Sequence, residues 1–174
     1  MHRASNSISD KNGVPDFVRC PVFSLLNKPE AGRISFIMQT KPDITLPADI
    51  RLLIDTFYEK VKNDEVIGYI FNDVANVNWE HHLPVMYAFW EFLLLDNADA
   101  YRGNPIQKHL DLHAKHALKA AHFDRWLALF QSSVDELFEG PVAENAKFRA
   151  FAISETWKPK FDGPFAHVPA GENQ

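Results

Sequence analysis

The stretch Gly103-Asn104-Pro105-Ile106-Gln107-Lys108-His109-Leu110-Asp111-Leu112 decides how this chain reads. It sets one histidine on a short, turn-started, half-apolar segment between two longer amphipathic stretches. The stretch before it carries Trp79, His82, Met86, Phe89 and Trp90, and the stretch after it carries Phe123, Trp126 and Phe130.

Working outward, the apolar spacing is helical on both sides. Ile50, Leu53, Ile54, Phe57, Tyr58 and Val61 fall three and four apart, on one stripe. That helix opens near Pro47 and Asp49, residues suited to a first turn, and ends at Asn63-Asp64. A short helical turn opened by Gly68 is expected over 67–71. A long helix over 78–95 carries the stripe Trp79, His82, Leu83, Met86, Trp90, Leu93 and Leu94, with Pro84 near its first turn. Residues 96–105 read as a loop, and His109 follows on a short helix. Another long helix spans 120–138, broken at Gly140-Pro141, and a last one runs over 142–157. No repeat and no convincing strand interrupts this body, so the expected fold class is all-α.

Upstream, Pro15, Pro21, Pro29, Pro42 and Pro47 punctuate a stretch without sustained helical periodicity, in which 33–37 could pass as a short strand. Downstream, Pro159, Gly163, Pro164, Pro169 and Gly171 mark a tail expected to be disordered from 158 to 174.

The 174 residues suffice for a real core without a disulfide or metal staple. A net charge of -5 argues against nucleic acid or an anionic membrane as partner. No apolar run approaches the roughly 20 residues a membrane span needs. The N-terminus lacks the apolar run of a secretory signal. Cys20 stands alone, which fits a reducing, cytoplasmic setting.

Four polar-tipped residues stand on or between the apolar stripes: Tyr58, His82, His109 and Trp126. Taken singly, each has a plain explanation: a core tyrosine or tryptophan with a carbonyl partner, a satisfied core histidine, a surface or capping histidine. Together they project from four helices into one core, which is costly unless something polar lies at the centre. A neutral imidazole among large apolar side chains is how a protein grips the iron of a flat, apolar macrocycle. A competing reading is zinc, because His109, His113 and His116 are spaced four and three apart. No His-Glu-x-x-His or Cys-x-x-Cys motif supports it.

Several blocks make the comparison specific. The segments Phe57-Tyr58-Glu59-Lys60-Val61, Ile67-Gly68-Tyr69-Ile70-Phe71-Asn72 and Trp79-Glu80-His81-His82-Leu83-Pro84 resemble those of a group III truncated hemoglobin. So do Phe89-Trp90, Tyr101-Arg102-Gly103-Asn104-Pro105, His109-Leu110, His122-Phe123-Asp124-Arg125-Trp126-Leu127-Ala128-Leu129-Phe130, and Val134-Asp135-Glu136-Leu137-Phe138-Glu139-Gly140. The likeness covers residues 44–157 in the family's order and spacing. The glycine pairs of the other truncated-hemoglobin groups are absent, which agrees with group III.

The resemblance implies a two-over-two helical sandwich with a shortened first helix, and heme b (iron protoporphyrin IX) as cofactor. It implies His109 as the proximal, iron-bonding histidine. Tyr58 and Trp126 become distal donors to bound O2, and His82 a distal gate. Phe71 would pack on the porphyrin face, with Trp90 as a further cofactor contact. The second nitrogen of His109 is expected on a backbone carbonyl. Lys108, Lys115 and Arg125 are candidate cations for the propionates, although ordinary solvated charge explains them more simply. The implied function is binding of O2, with NO and CO as further ligands. The alternative is a heme enzyme, oxidising NO with O2 or reducing peroxide, which would need an external reductase.

Residues 1–43 are read as an N-terminal extension, either flexible or the product of a mis-assigned start. Residues 1–37 carry no matching block, and a true start at Met38 would leave a chain without cysteine. The intact mass of the native protein separates the two.

Overall fold

The structure is a computed structural model that describes residues 40–162. The expectations for residues 1–39 and 163–174 lie outside the described residues. Within them the fold is all-α, as expected. Its helices are α1 (Pro47–Lys62), a π-helical turn (Ile70–Val74), α2 (Trp79–Leu94), α3 (Pro105–Lys115), α4 (Ala120–Leu137) and α5 (Pro141–Phe161). The four long helices form two pairs, α1 with α2 and α4 with α5. These pairs are stacked through α1 on α4 and α2 on α5, which is a two-over-two sandwich. The short α3 lies to one side, against α5.

Each helix starts where its sequence satisfies the orphan N–H groups of a first turn. In α1, Pro47 takes the first position and the Asp49 carboxylate accepts from the backbone of Thr45 and Leu46 at 2.9 and 2.8 Å. Asp64 closes the other end by accepting from Val66 and Ile67, both at 3.0 Å. Arg125 grips the same carboxylate through Nε and Nη2 at 2.8 and 2.7 Å. Burial pushes the Asp64 carboxyl up. The Arg125 hydrogen bond, with those of Ile67 and Val66, outweighs that and holds it below the ordinary carboxylate range.

Two caps reach across the chain. Asp43 accepts from Val142 at 3.0 Å and from Ala143 at 2.8 Å, closing the start of α5. Gly140 sits beside it with φ +146°, and a Cβ there would fall 2.5 Å from the Asp43 carboxyl carbon. Asp162, at the far end of α5, accepts from the N–H of Ala120 at 2.8 Å and so caps α4.

These contacts correct two expectations. The last helix does not stop at Trp157. It runs through Pro159 to Phe161, which is buried against Phe123 and His113 at ring distances of 5.2 and 5.4 Å. A mid-helix proline costs about 3 kcal/mol. Burying a phenylalanine recovers a comparable about 1.5–3 kcal/mol, and the Asp162 cap adds to that. Pro84 lies in the second turn of α2, not the first, and leaves the Glu80 carbonyl without its helical donor.

The core is aromatic at its centre. Phe57, Phe130 and Trp90 are at most 2% exposed, and Trp90 stacks on Phe130 at 4.4 Å. Along α5 a stripe of small buried residues, Ala143, Ala146, Ala150 and Ser154, lets α4 approach closely.

Candidate functional site

A cavity of about 680 Å³ opens between α1, α2, α3, α4 and α5, a volume suited to a cofactor-sized ligand. All six residues singled out from the sequence line it: Tyr58, Phe71, His82, Trp90, His109 and Trp126. They come from separate elements, and the fold brings them together.

On one wall, α3 presents His109. Asn104 caps that helix by accepting from the N–H of Gln107 at 3.3 Å, and Pro105 takes the first position. The ring nitrogen Nδ1 of His109 lies 2.8 Å from the Pro105 carbonyl. A carbonyl only accepts, so Nδ1 carries the proton and Nε2 is left with its lone pair. Burial pulls the His109 pKa below the usual imidazole value, against the Pro105 carbonyl, which raises it. The ring rests against Trp157 at 4.7 Å.

The opposite wall is an aromatic nest. The Tyr58 ring sits 5.1 Å from His82, 5.5 Å from Trp79 and 6.0 Å from Phe71. Its hydroxyl lies 3.0 Å from His82 Nε2. Burial raises the phenol's pKa, so it stays protonated. Burial, and then the imidazole of His109, lower that of His82, so His82 is neutral at pH 7. The π-helical turn, closed by the N–H of Ala75 on the Ile70 carbonyl at 2.8 Å, delivers Ile70 and Phe71 to this wall. From α4, Trp126 stacks on Phe130 at 5.6 Å and meets Phe57 edge-on at 5.7 Å.

The zinc arrangement does not form. His113 Nδ1 accepts from Leu118 at 3.0 Å, and His116 Nε2 pairs with the Tyr69 hydroxyl at 3.0 Å, so the histidines turn to separate partners. Among the described residues, no three His, Cys, Asp or Glu side chains gather as a metal cage.

The cavity fits a flat, apolar, singly ligated group. One unprotonated imidazole nitrogen is available on one side, a tyrosine–histidine pair stands on the other, and Phe71, Met86, Phe89 and Trp90 supply apolar walls. The Ser154 hydroxyl beside the lining is fully buried and has no hydrogen-bond partner among the described residues.

Similarity to known proteins agrees. Group 3 truncated hemoglobin ctb of Campylobacter jejuni is 36% identical over 92 residues, spanning 51% of this chain and 69% of that one. The chain belongs to the group III truncated hemoglobins. The crystal structure of a group III truncated hemoglobin from Campylobacter jejuni superposes on this globin with a TM-score of 0.61. It covers 77% of this chain and all of the other, at 27% identity. No family model matches the chain. No helix among the described residues is long and apolar enough to cross a membrane.

Sequence reasoning missed Trp157, Ser154, Tyr101 and His122 as cavity residues. The first two had a signal. Ser154 ends the small-residue stripe of α5 and Trp157 follows it at helical spacing, so the two share a helix face. Tyr101 lies in a loop, where periodicity is silent, and His122 lies in the first turn of α4, off the apolar stripe read from the sequence.

Proposed function

We propose that this globin holds heme b through His109 and binds O2, and with it NO and CO, on the opposite side. The observation that carries the reading is the Nδ1 hydrogen bond of His109 to Pro105, which leaves Nε2 bare toward an apolar cavity. When bound, a heme supplies a ferrous centre with one position open to diatomic ligands.

The chain's own residues do the rest. The Pro105 carbonyl fixes the His109 tautomer and ring plane. It is a neutral acceptor, so it leaves the imidazole less anionic than a carboxylate partner would. Phe71, Trp90 and Trp157 pack against the cofactor and exclude water. Tyr58 and Trp126 act as O–H and N–H donors, and in a dry pocket such bonds stabilise developing negative charge more than in water. His82 sets whether Tyr58 is available. With the proton on His82 Nε2, the tyrosine oxygen accepts it and its own O–H is free for the ligand. With the proton on Nδ1, that O–H is taken up by His82.

The test is the absorption spectrum of the purified protein, with and without reductant and CO. A Soret band that shifts on reduction and again with CO is expected. A colourless chain that takes up no added heme overturns the reading.

A further inference from the structure

Helix α3 meets α5 through two matched pairs of rings. His109 rests on Trp157 at 4.7 Å with the planes tilted by 59°, and His113 meets Phe161 edge-on at 5.4 Å. Four residues separate the two histidines on α3, and four separate the two aromatics on α5. Four residues advance a helix by about 6 Å, so the pairs form two rungs of equal spacing. Neither helix can slide along the other without pulling both rungs apart.

Each rung is pinned at its histidine. Nδ1 of His109 is held by the Pro105 carbonyl, at the start of α3. Nδ1 of His113 accepts the N–H of Leu118 at 3.0 Å, just past the end of α3. The second rung is also pinned at its aromatic. Phe161 is 2% exposed and stacks on Phe123 of α4 at 5.2 Å. The next residue, Asp162, caps α4 at Ala120. Along α5 the stripe is small through Ala143, Ala146, Ala150 and Ser154, then turns large at Trp157 and Phe161. The small part admits α4 closely, and the large part reaches α3, which stands to one side. An anchor for α4 explains the Phe123 stack. It leaves unexplained a second rung spaced to match His109, on a turn that α5 reaches only by passing Pro159.

We propose that Phe161 is a positioning residue for His109: with Trp157 it sets where α3 lies along α5, and so where Nε2 points into the cavity. Phe161 does not line that cavity, so it acts through His113 and not on the cofactor itself. This rests on the heme reading above.

The experiment uses the full-length chain reconstituted with hemin and reduced, and reads the iron–histidine stretching band by resonance Raman scattering. Phe161→Leu keeps apolar bulk against Phe123 and loses the ring that meets His113. It should shift and broaden the band, and hemin release should speed up on the order of threefold to tenfold, the worth of one aromatic contact. His113→Leu removes the same rung from the other side and should move the band the same way. Because the two residues act as a unit, the double variant should move it no further than the larger single change. Val134→Ala, buried on α4 and off the cavity lining, belongs to neither rung; it lowers stability and should leave the band in place. A parent band in Phe161→Leu overturns the inference, as does a double variant in which the two shifts add. If Phe161→Leu yields no folded chain, His113→Leu decides alone, and a parent band there overturns the inference. Absence of any iron–histidine band in the unmodified chain overturns the heme reading itself, and this inference with it.

Discussion

Helices α1 and α3 face the same cavity and are held in opposite ways. Six residues of α1, from Ile50 to Val61, are buried, and Tyr58 is delivered to the site by a helix the protein itself secures. Helix α3 buries none of its residues. It is tied by the Asn104 cap, the His113 imidazole on Leu118, the His116–Tyr69 pair, the half-buried Ile106 and Leu112 against the core, and the ring contacts of His109 with Trp157 and His113 with Phe161. On the reading proposed above, the Tyr58 wall would be built by folding and the His109 wall completed by the cofactor. A helix with only a half-buried face gains more from a bound ligand than a fully buried one does, so on the proposed heme reading binding and local order would be linked.

The largest test of this contrast is His109→Ala. It should abolish the Soret band or change its ligation outright, while the far-ultraviolet helix signal persists because none of the fully buried core side chains belongs to α3. A parent-like pigment content and spectrum would refute His109 as ligand. Next comes Tyr58→Phe. A hydrogen bond to a charged acceptor is worth about 1.5–3 kcal/mol, so O2 release measured by stopped flow should speed up on the order of tenfold to a hundredfold. An unchanged off-rate would remove the phenol from the distal donors.

Heme extraction followed by hydrogen exchange probes the walls side by side. Amides of α3 should lose about tenfold or more in protection, as a region stabilised by ligand does, while those at the centre of α1 change little. Equal loss in both helices would erase the distinction drawn here.

The smallest effect is a pH slope. His82, His109 and His122 are all held below the ordinary value of 6.5, chiefly by burial. The unfolded chain therefore takes up protons before the folded one does. The apoprotein should keep its full stability above about pH 6.5 and lose it as the pH falls through the lowered folded values. Urea midpoints at pH 7.5 and 5.5 check the sign, and His82→Gln should flatten the slope.

The parts of this molecule that repeat were legible, and the parts that close it were not. The stripe from Ile50 to Val61 could be read because burial on one helix face leaves a periodic mark. His109 alone has a plain explanation, and it was singled out by the other polar-tipped residues around it and by the blocks that resemble the family. The carbonyl partner of its second nitrogen was anticipated on chemical grounds, and Pro105 supplies it. The end of α5 was misjudged because Pro159 is a local signal, whereas Phe161 and Asp162 act at long range on Phe123 and Ala120. Lys108 and Arg125 look alike on paper, and the fold sets Lys108 on the cavity lining and Arg125 on Asp64, a residue distant in sequence from both.

Asp43 and Asp162 stand near opposite ends of the described chain, and each completes the first turn of a helix far from itself. The opening of α4 stays unfinished until residue 162 has left the ribosome, although α4 is synthesised well before. A gene trimmed to codons 44–157, the span of the family likeness, would encode the sandwich with its last helix cut short by about a turn and with neither of its clasps.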